Sequence, residues 1–133
     1  TWLAKKGFFL SQGYQVVDHA PPSFELLVKT IGSPASPSFP QDWEERLKRI
    51  PTGLVVYHSG QCPYLAMFVS SLLTAAEKLA IPVETVELHS SYEARHLSPS
   101  AYGVFGVVYN GKLLSYRPIG GKTLLEMLER ADE

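Results

Sequence analysis

The residue with the most chemistry to offer is the single cysteine, Cys62, set in Ser59-Gly60-Gln61-Cys62-Pro63-Tyr64 between the apolar run Leu54–His58 and the periodic run Leu65–Ala80. A short strand that empties through small residues into a helix places this thiol where unpaired backbone N–H groups and the positive end of the helix dipole favour an anion. A thiol in such a place ionises more readily than a free one, which makes Cys62 a candidate nucleophile or ligand-sensing group. Pro63 suits the first helical position, where its missing N–H costs nothing. His58, four residues before Cys62, can stabilise a thiolate if the turn folds back. His58, Ser59, Gln61, Pro63 and Tyr64 are therefore the candidate binding residues around the sulfur. Plainer readings stand beside these: Cys62 as a small residue tolerated at a helix start, and His58 as a surface or core histidine. No second soft ligand is spaced for zinc, so no metal site is expected. His19, His89 and His96 read as solvated residues.

Further along, Gly120-Gly121 can present two N–H groups to a ligand carboxylate, or can merely make the turn into a helix. Tyr57, Tyr64, Tyr102, Tyr109 and Phe105 can line a groove at the thiol, and core packing is the alternative for most of them.

These residues need a scaffold, and the pattern from Leu54 onward supplies one. Leu65, Phe68, Val69, Leu72, Leu73, Ala76, Leu79 and Ala80 recur at three- and four-residue spacing, which predicts a core-facing helix ended by Pro82. Val83–Leu88 reads as a strand. Ser90 and Glu93 cap a short helix reaching about Leu97. Gly103–Tyr109 and Lys112–Tyr116 flank Asn110-Gly111, a strong hairpin signal. Thr123 and Glu126 cap a last helix carrying Leu124, Leu125, Met127 and Leu128. The order strand, helix, strand, helix, hairpin, helix predicts an α/β fold: a four-stranded mixed sheet, its first two strands parallel, with helices on both faces.

Upstream, Leu3–Gln12 reads as a short helix closed by Gly13. Tyr14–Val17 and Phe24–Lys29 read as an antiparallel pair of strands around Asp18–Ser23. This piece is too small to bury its own faces. Residues 33–41 are rich in Pro and Ser and have the composition of an extended linker. The expected domains are thus 1–32, the linker 33–41, and 42–133, the last opening with a helix Trp43–Ile50 capped by Asp42 and Glu45.

Composition bounds the function. In 133 residues, 45% are hydrophobic, enough for a real core, and 12 basic against 13 acidic residues leave a charge of −1 with Lys and Arg scattered. That distribution excludes a nucleic-acid-binding surface, and no apolar run approaches the ~20 residues needed to span a bilayer. A lone cysteine makes no internal disulfide, and a cytoplasmic protein is expected. The chain opens at Thr1 without a methionine and reads as a piece of something longer.

The element order from Leu54, the Cys-Pro-Tyr at the strand-to-helix junction, the Asn-Gly hairpin and the glycine pair before the last helix together resemble a minimal thioredoxin fold of the glutaredoxin type. The resemblance implies a redox or glutathione-binding site at Cys62, with Gly120 and Gly121 on a carboxylate. Two parts of its pattern are missing. Leu65 stands where the family has its second cysteine, and Phe105 stands near the position of its cis-proline, the residue that holds backbone against thiol and substrate. The run Phe9–Val17, with the strand Phe24–Lys29, resembles the end of a GNAT-type N-acetyltransferase, and Gly60–Tyr64 with Tyr109–Lys112 resemble the YoaP-like region found C-terminal to such enzymes. This implies acetyl-CoA as cofactor of the parent protein and none here. The glycine-rich loop that holds its pyrophosphate has no counterpart in these 133 residues, and the family's general-acid tyrosine falls on Phe9. The partners implied are upstream acetyltransferase residues and a small-molecule or glutathione ligand near Cys62. Three roles follow: an accessory domain positioning substrate or partner beside the acetyl-transfer site, a monothiol redox or glutathione-binding domain, or a structural, homodimer-forming domain.

Overall fold

The structure, a computed structural model, describes residues 4–131. Leu3, where the first helix was expected to begin, lies outside them. The chain divides into two compact units, Thr1–Gln41 and Asp42–Glu133.

In the first unit, helix α1 covers Lys6–Ser11, shorter than the expected span, and Gly13 follows it at φ 85, a conformation open to glycine. Strands β1 (Gln15–Ala20) and β2 (Phe24–Val28) pair antiparallel. β1 runs three residues further than its apolar pattern suggested, because Asp18, His19 and Ala20 keep pairing after a register shift between Val16 and Asp18. The turn is therefore only Pro21-Pro22-Ser23. The Asp18 carboxylate accepts the N–H groups of His19 (2.8 Å) and Phe39 (2.7 Å) and the Gln41 amide (3.3 Å), so the end of the Pro/Ser-rich stretch is tied onto β1. Those donors, the Phe39 N–H first, hold Asp18 below the usual carboxylate range. Among the described residues of this unit Ala20 is the one buried apolar side chain, as its small size dictates.

The second unit opens with α2 (Trp43–Arg49). Asp42 does not cap it: the carboxylate makes no capping bond to the N–H groups of the helix and instead takes the Arg46 guanidinium, Nε at 2.9 Å and Nη2 at 2.8 Å. Arg46 is 6% exposed, lies 4.5 Å above the Trp43 ring and donates to the Ser98 carbonyl at 3.0 Å. A stronger charge-assisted pair has displaced a weak cap.

Strand β3 (Leu54–Ser59), helix α3 (Leu65–Lys78), strand β4 (Val83–Leu88), helix α4 (Ser91–Leu97), strands β5 (Phe105–Tyr109) and β6 (Lys112–Ser115) and helix α5 (Gly121–Ala131) follow. The sheet order is β4-β3-β5-β6, with β3 and β4 parallel and the other two pairings antiparallel. This is the expected four-stranded mixed sheet with helices on both faces. Leu54, Val56, Phe105 and Val107 pack with Leu65, Leu72, Ala75 and Ala76 of α3 and Leu124 and Leu128 of α5. Val55, Tyr57, Val108 and Leu88 form the opposite layer, with Leu47 of α2, Ile50 just after it and Ala94 of α4.

Two local expectations need correction, and a third holds. α3 stops at Lys78, so Leu79 and Ala80 leave its apolar face and are exposed; Ala80 turns left-handed at φ 54, and the Ile81 N–H closes the helix on the Ala76 carbonyl at 2.9 Å. α5 begins at Gly121, two residues before Thr123, because the Gly121 N–H finds the Ser71 hydroxyl on α3 at 2.9 Å. Ser90 does cap α4, accepting the Glu93 N–H at 3.1 Å, and Glu93 in turn takes the His89 N–H at 2.7 Å.

Candidate functional site

Strand alternation in β3 decides what its end can do. Successive side chains point to opposite faces, so His58 follows Leu54 and Val56 toward α3 and α5, whereas Ser59 follows Val55 and Tyr57 toward α2 and α4. Burial, and after it the Glu84 carboxylate, pushes the Tyr57 phenol above its usual range, which keeps it neutral inside that second layer.

Cys62 is partly buried and packs against the α3/α5 core. It does not head the helix directly. Its carbonyl accepts the Leu65 N–H at 3.1 Å and Tyr64 precedes the first helical residue, so Cys62 and Pro63 occupy a turn before α3 and Pro63 is not its first residue. Among the described residues, Cys62 and His58 share no hydrogen bond. Tyr64 is 67% exposed, while Gln61 and Pro63 also face outward.

Two expected binding residues are committed elsewhere. Phe105 is fully buried in the core facing α3 and α5, where a large ring opposite Leu72 and Leu124 fills volume; it lines no open groove. The Gly121 N–H is taken by Ser71, and a Cβ at Gly121 would stand 2.6 Å from the Ser71 carbonyl oxygen and 2.9 Å from Ala75 Cβ. Gly121 is there to let α3 and α5 approach, and Gly120 supplies the carbonyl that starts α5 by accepting the Leu124 N–H at 3.1 Å.

A cavity of about 350 Å³ opens where β3 and β4 end. Parallel strands bring their carboxyl ends to one side, so the residues after each strand meet there. Ser59, Gly60 and Gln61 come from one side, and Glu87, His89, Ser90 and Ser91 from the other. Of the sequence candidates it gathers Ser59 and Gln61; Cys62, His58, Pro63, Tyr64, Phe105, Gly120 and Gly121 are not among its lining residues. Ser59 is 5% exposed, and its hydroxyl is buried with no hydrogen-bond partner among the described residues. Glu87 and the serines heading α4 were missed as site residues. The signal that reveals them is the pairing of β3 with β4, which places Ser59 beside Leu88.

Among the described residues no group of three His, Cys, Asp or Glu side chains is placed to hold a metal ion, and no helix is long and apolar enough to cross a membrane.

Comparison with known proteins gives one relative. The chain is 28% identical over 117 residues to the uncharacterized N-acetyltransferase YoaP of Bacillus subtilis (strain 168), a match that covers 86% of this chain and 45% of YoaP. The chain therefore spans less than half the length of that relative. The match is longer than the second unit, so it includes residues of both units. No family model and no solved structure matches the chain.

Proposed function

We propose that this chain serves a GNAT-type N-acetyltransferase as its C-terminal portion, with Asp42–Glu133 as a glutaredoxin-like accessory domain that positions an acceptor or partner beside the acetyl-transfer site. The similarity to YoaP carries this reading, because it runs through both units rather than along one common fold element. Acetyl-CoA would be bound by the portion of such an enzyme that this chain does not span, where a glycine-rich loop opening a helix can hold the pyrophosphate.

The glutaredoxin-like topology is supported by the sheet order β4-β3-β5-β6 with α3 and α5 on one face. An accessory rather than a redox role is supported by Leu65, buried at 3% exposure where a resolving cysteine would stand, and by Phe105, sunk in the core where substrate-holding backbone would be exposed. Cys62 then contributes packing and contact rather than turnover.

Titration calorimetry of the 133-residue chain with acetyl-CoA tests the assignment. No heat of binding is expected, and micromolar affinity would overturn it.

A further inference from the structure

The sheet of the second unit ends in two edges, and they differ. β6 is four residues long and its pairing with β5 slips between Val107 and Val108, the kind of irregularity that blunts an edge. β4 keeps an unbroken register with β3 from Val83 to Leu88, and among the described residues no strand pairs with its other side.

One hydrogen bond fixes which backbone groups that side offers. The Leu54 N–H donates to the Pro82 carbonyl at 2.8 Å, and Leu54 stands opposite Val83. In a parallel ladder a residue bonds to the two neighbours of the residue opposite it, so Glu84 and Val86 turn their N–H and C=O groups toward β3, and Val83, Thr85 and Glu87 turn theirs away. These three residues are exposed, and among the described residues no other backbone group bonds to their outward side. The edge is a ready template for one more strand.

The side chains narrow the occupant. β4 carries Glu84 and Glu87 and no lysine or arginine. Among the described residues Glu84 has no ion-pair partner, and Glu87 has only a loose contact, 4.0 Å from His89 Nδ1. A second copy of the chain would bring the same two carboxylates and no cation, so β4 disfavours pairing with itself. A strand bearing cations is favoured instead. Glu84 and Glu87 lie three positions apart and therefore point to opposite faces of the sheet. An incoming strand, parallel or antiparallel, meets both carboxylates when its own basic residues are also three apart.

We propose that the free edge of β4 is a docking site for an extended polypeptide segment that carries two basic residues three positions apart and adds to the sheet as a further strand. Docking stands on the geometry of the edge; only the idea that the docked segment presents an acetyl acceptor rests on the acetyltransferase reading.

Capped peptides titrated into the ¹⁵N-labelled 133-residue chain test it: Val-Thr-Lys-Val-Thr-Lys-Thr-Val, with lysines three apart; Val-Thr-Lys-Val-Lys-Thr-Thr-Val, with lysines two apart; and the first with glutamate in place of both lysines. The first is expected to slow solvent exchange of the Val83, Thr85 and Glu87 N–H protons and to leave those of Glu84 and Val86, already bonded to β3, unchanged. It should bind about three- to fivefold more tightly than the second, the factor one exposed ion pair supplies, and the glutamate peptide should not bind at the same concentrations. Glu84→Gln and Glu87→Gln, both on the surface, should each abolish the preference for the three-apart spacing. Thr85→Pro, which deletes an outward N–H and spares the ladder with β3, should abolish protection by every peptide. The proposal is overturned by failure of the first peptide to bind, by equal binding of the lysine and glutamate peptides, by binding that leaves the three N–H groups unprotected, or by their protection in a peptide-free dimer seen in sedimentation, which would make a second copy the occupant. Acetyl-CoA is in none of these titrations, so their failure is distinct from failure of the acetyltransferase assignment.

Discussion

The Gly121 N–H donates to the Ser71 hydroxyl at 2.9 Å, and no larger residue than glycine fits against that turn of α3. Gly121→Ala forces its methyl into the Ser71 carbonyl and Ala75, where backbone must shift, and is expected to cost about 2–3 kcal/mol by overpacking. Ser71→Ala loses only the bond, about 1 kcal/mol. Urea melts of the two variants should keep that order; equal losses would mean that the close approach of α3 and α5 is not the reason for glycine.

Ala80 holds a left-handed conformation, φ 54, that costs an L-residue roughly 1–2 kcal/mol. Ala80→Gly removes that strain and keeps the Ile81 N–H to Ala76 carbonyl closure. Part of the gain is offset by the greater freedom of glycine in the unfolded chain. A net stabilisation of about 0.5–1 kcal/mol is expected by denaturant titration, in keeping with the preference for glycine at a left-handed position that closes a helix.

Arg46 joins three partners: the Asp42 carboxylate, the Ser98 carbonyl and the Trp43 ring. Arg46→Met keeps much of the stem but leaves the buried Ser98 carbonyl unpaired, with an expected loss of about 2–3 kcal/mol.

Arg46 also holds the Asp42 carboxyl below its ordinary 3.8, chiefly through the hydrogen bond. A depressed carboxyl contributes stability that is fully present above the unfolded value and is lost as pH falls below 3.8 through the folded one. Asp42→Asn should therefore be less stable than the parent at neutral pH, with the gap closing below that value. A gap that persists undiminished in acid would assign the effect to something other than the charge. Asp18, also held low by its N–H donors, gives the same sign for the first unit.

Cys62 packs against the core and, among the described residues, has no hydrogen bond to His58. Incubation with oxidised glutathione followed by intact mass should show modification slower in the folded chain than in the chain unfolded by urea. Faster modification of the folded chain would favour the monothiol redox reading.

Much of the second unit was legible because its signals are local. The apolar run at β3, the three-and-four spacing of α3 and the Asn110-Gly111 turn, with φ 48 and 75, each specify their element without help from elsewhere. What escaped was decided by distant partners. Asp42 reads as a cap until Arg46, held over it by the Ser98 carbonyl, takes its carboxylate, and Thr123 reads as the start of α5 until Ser71 reaches Gly121. Asn110 reads as a turn residue alone, yet its side-chain oxygen accepts the Gly53 N–H at 2.8 Å and its own N–H donates to the Gly53 carbonyl at 3.0 Å, fastening the hairpin to the start of β3. The candidate site divided in the same way. Ser59 and Gln61 stand at the strand end where pattern alone points, but their cavity partners lie some thirty residues on and become visible only once β3 and β4 are paired.

The two-faced character of β3 also constrains how this segment can change over generations. Since odd and even positions serve different helix layers, deleting or adding one residue between Leu54 and His58 would turn the strand inside out, sending His58 to the polar cavity and Ser59 toward the sulfur. Length in this stretch is consequently far less free to drift than amino-acid identity, and descendants should exchange side chains here while preserving the count.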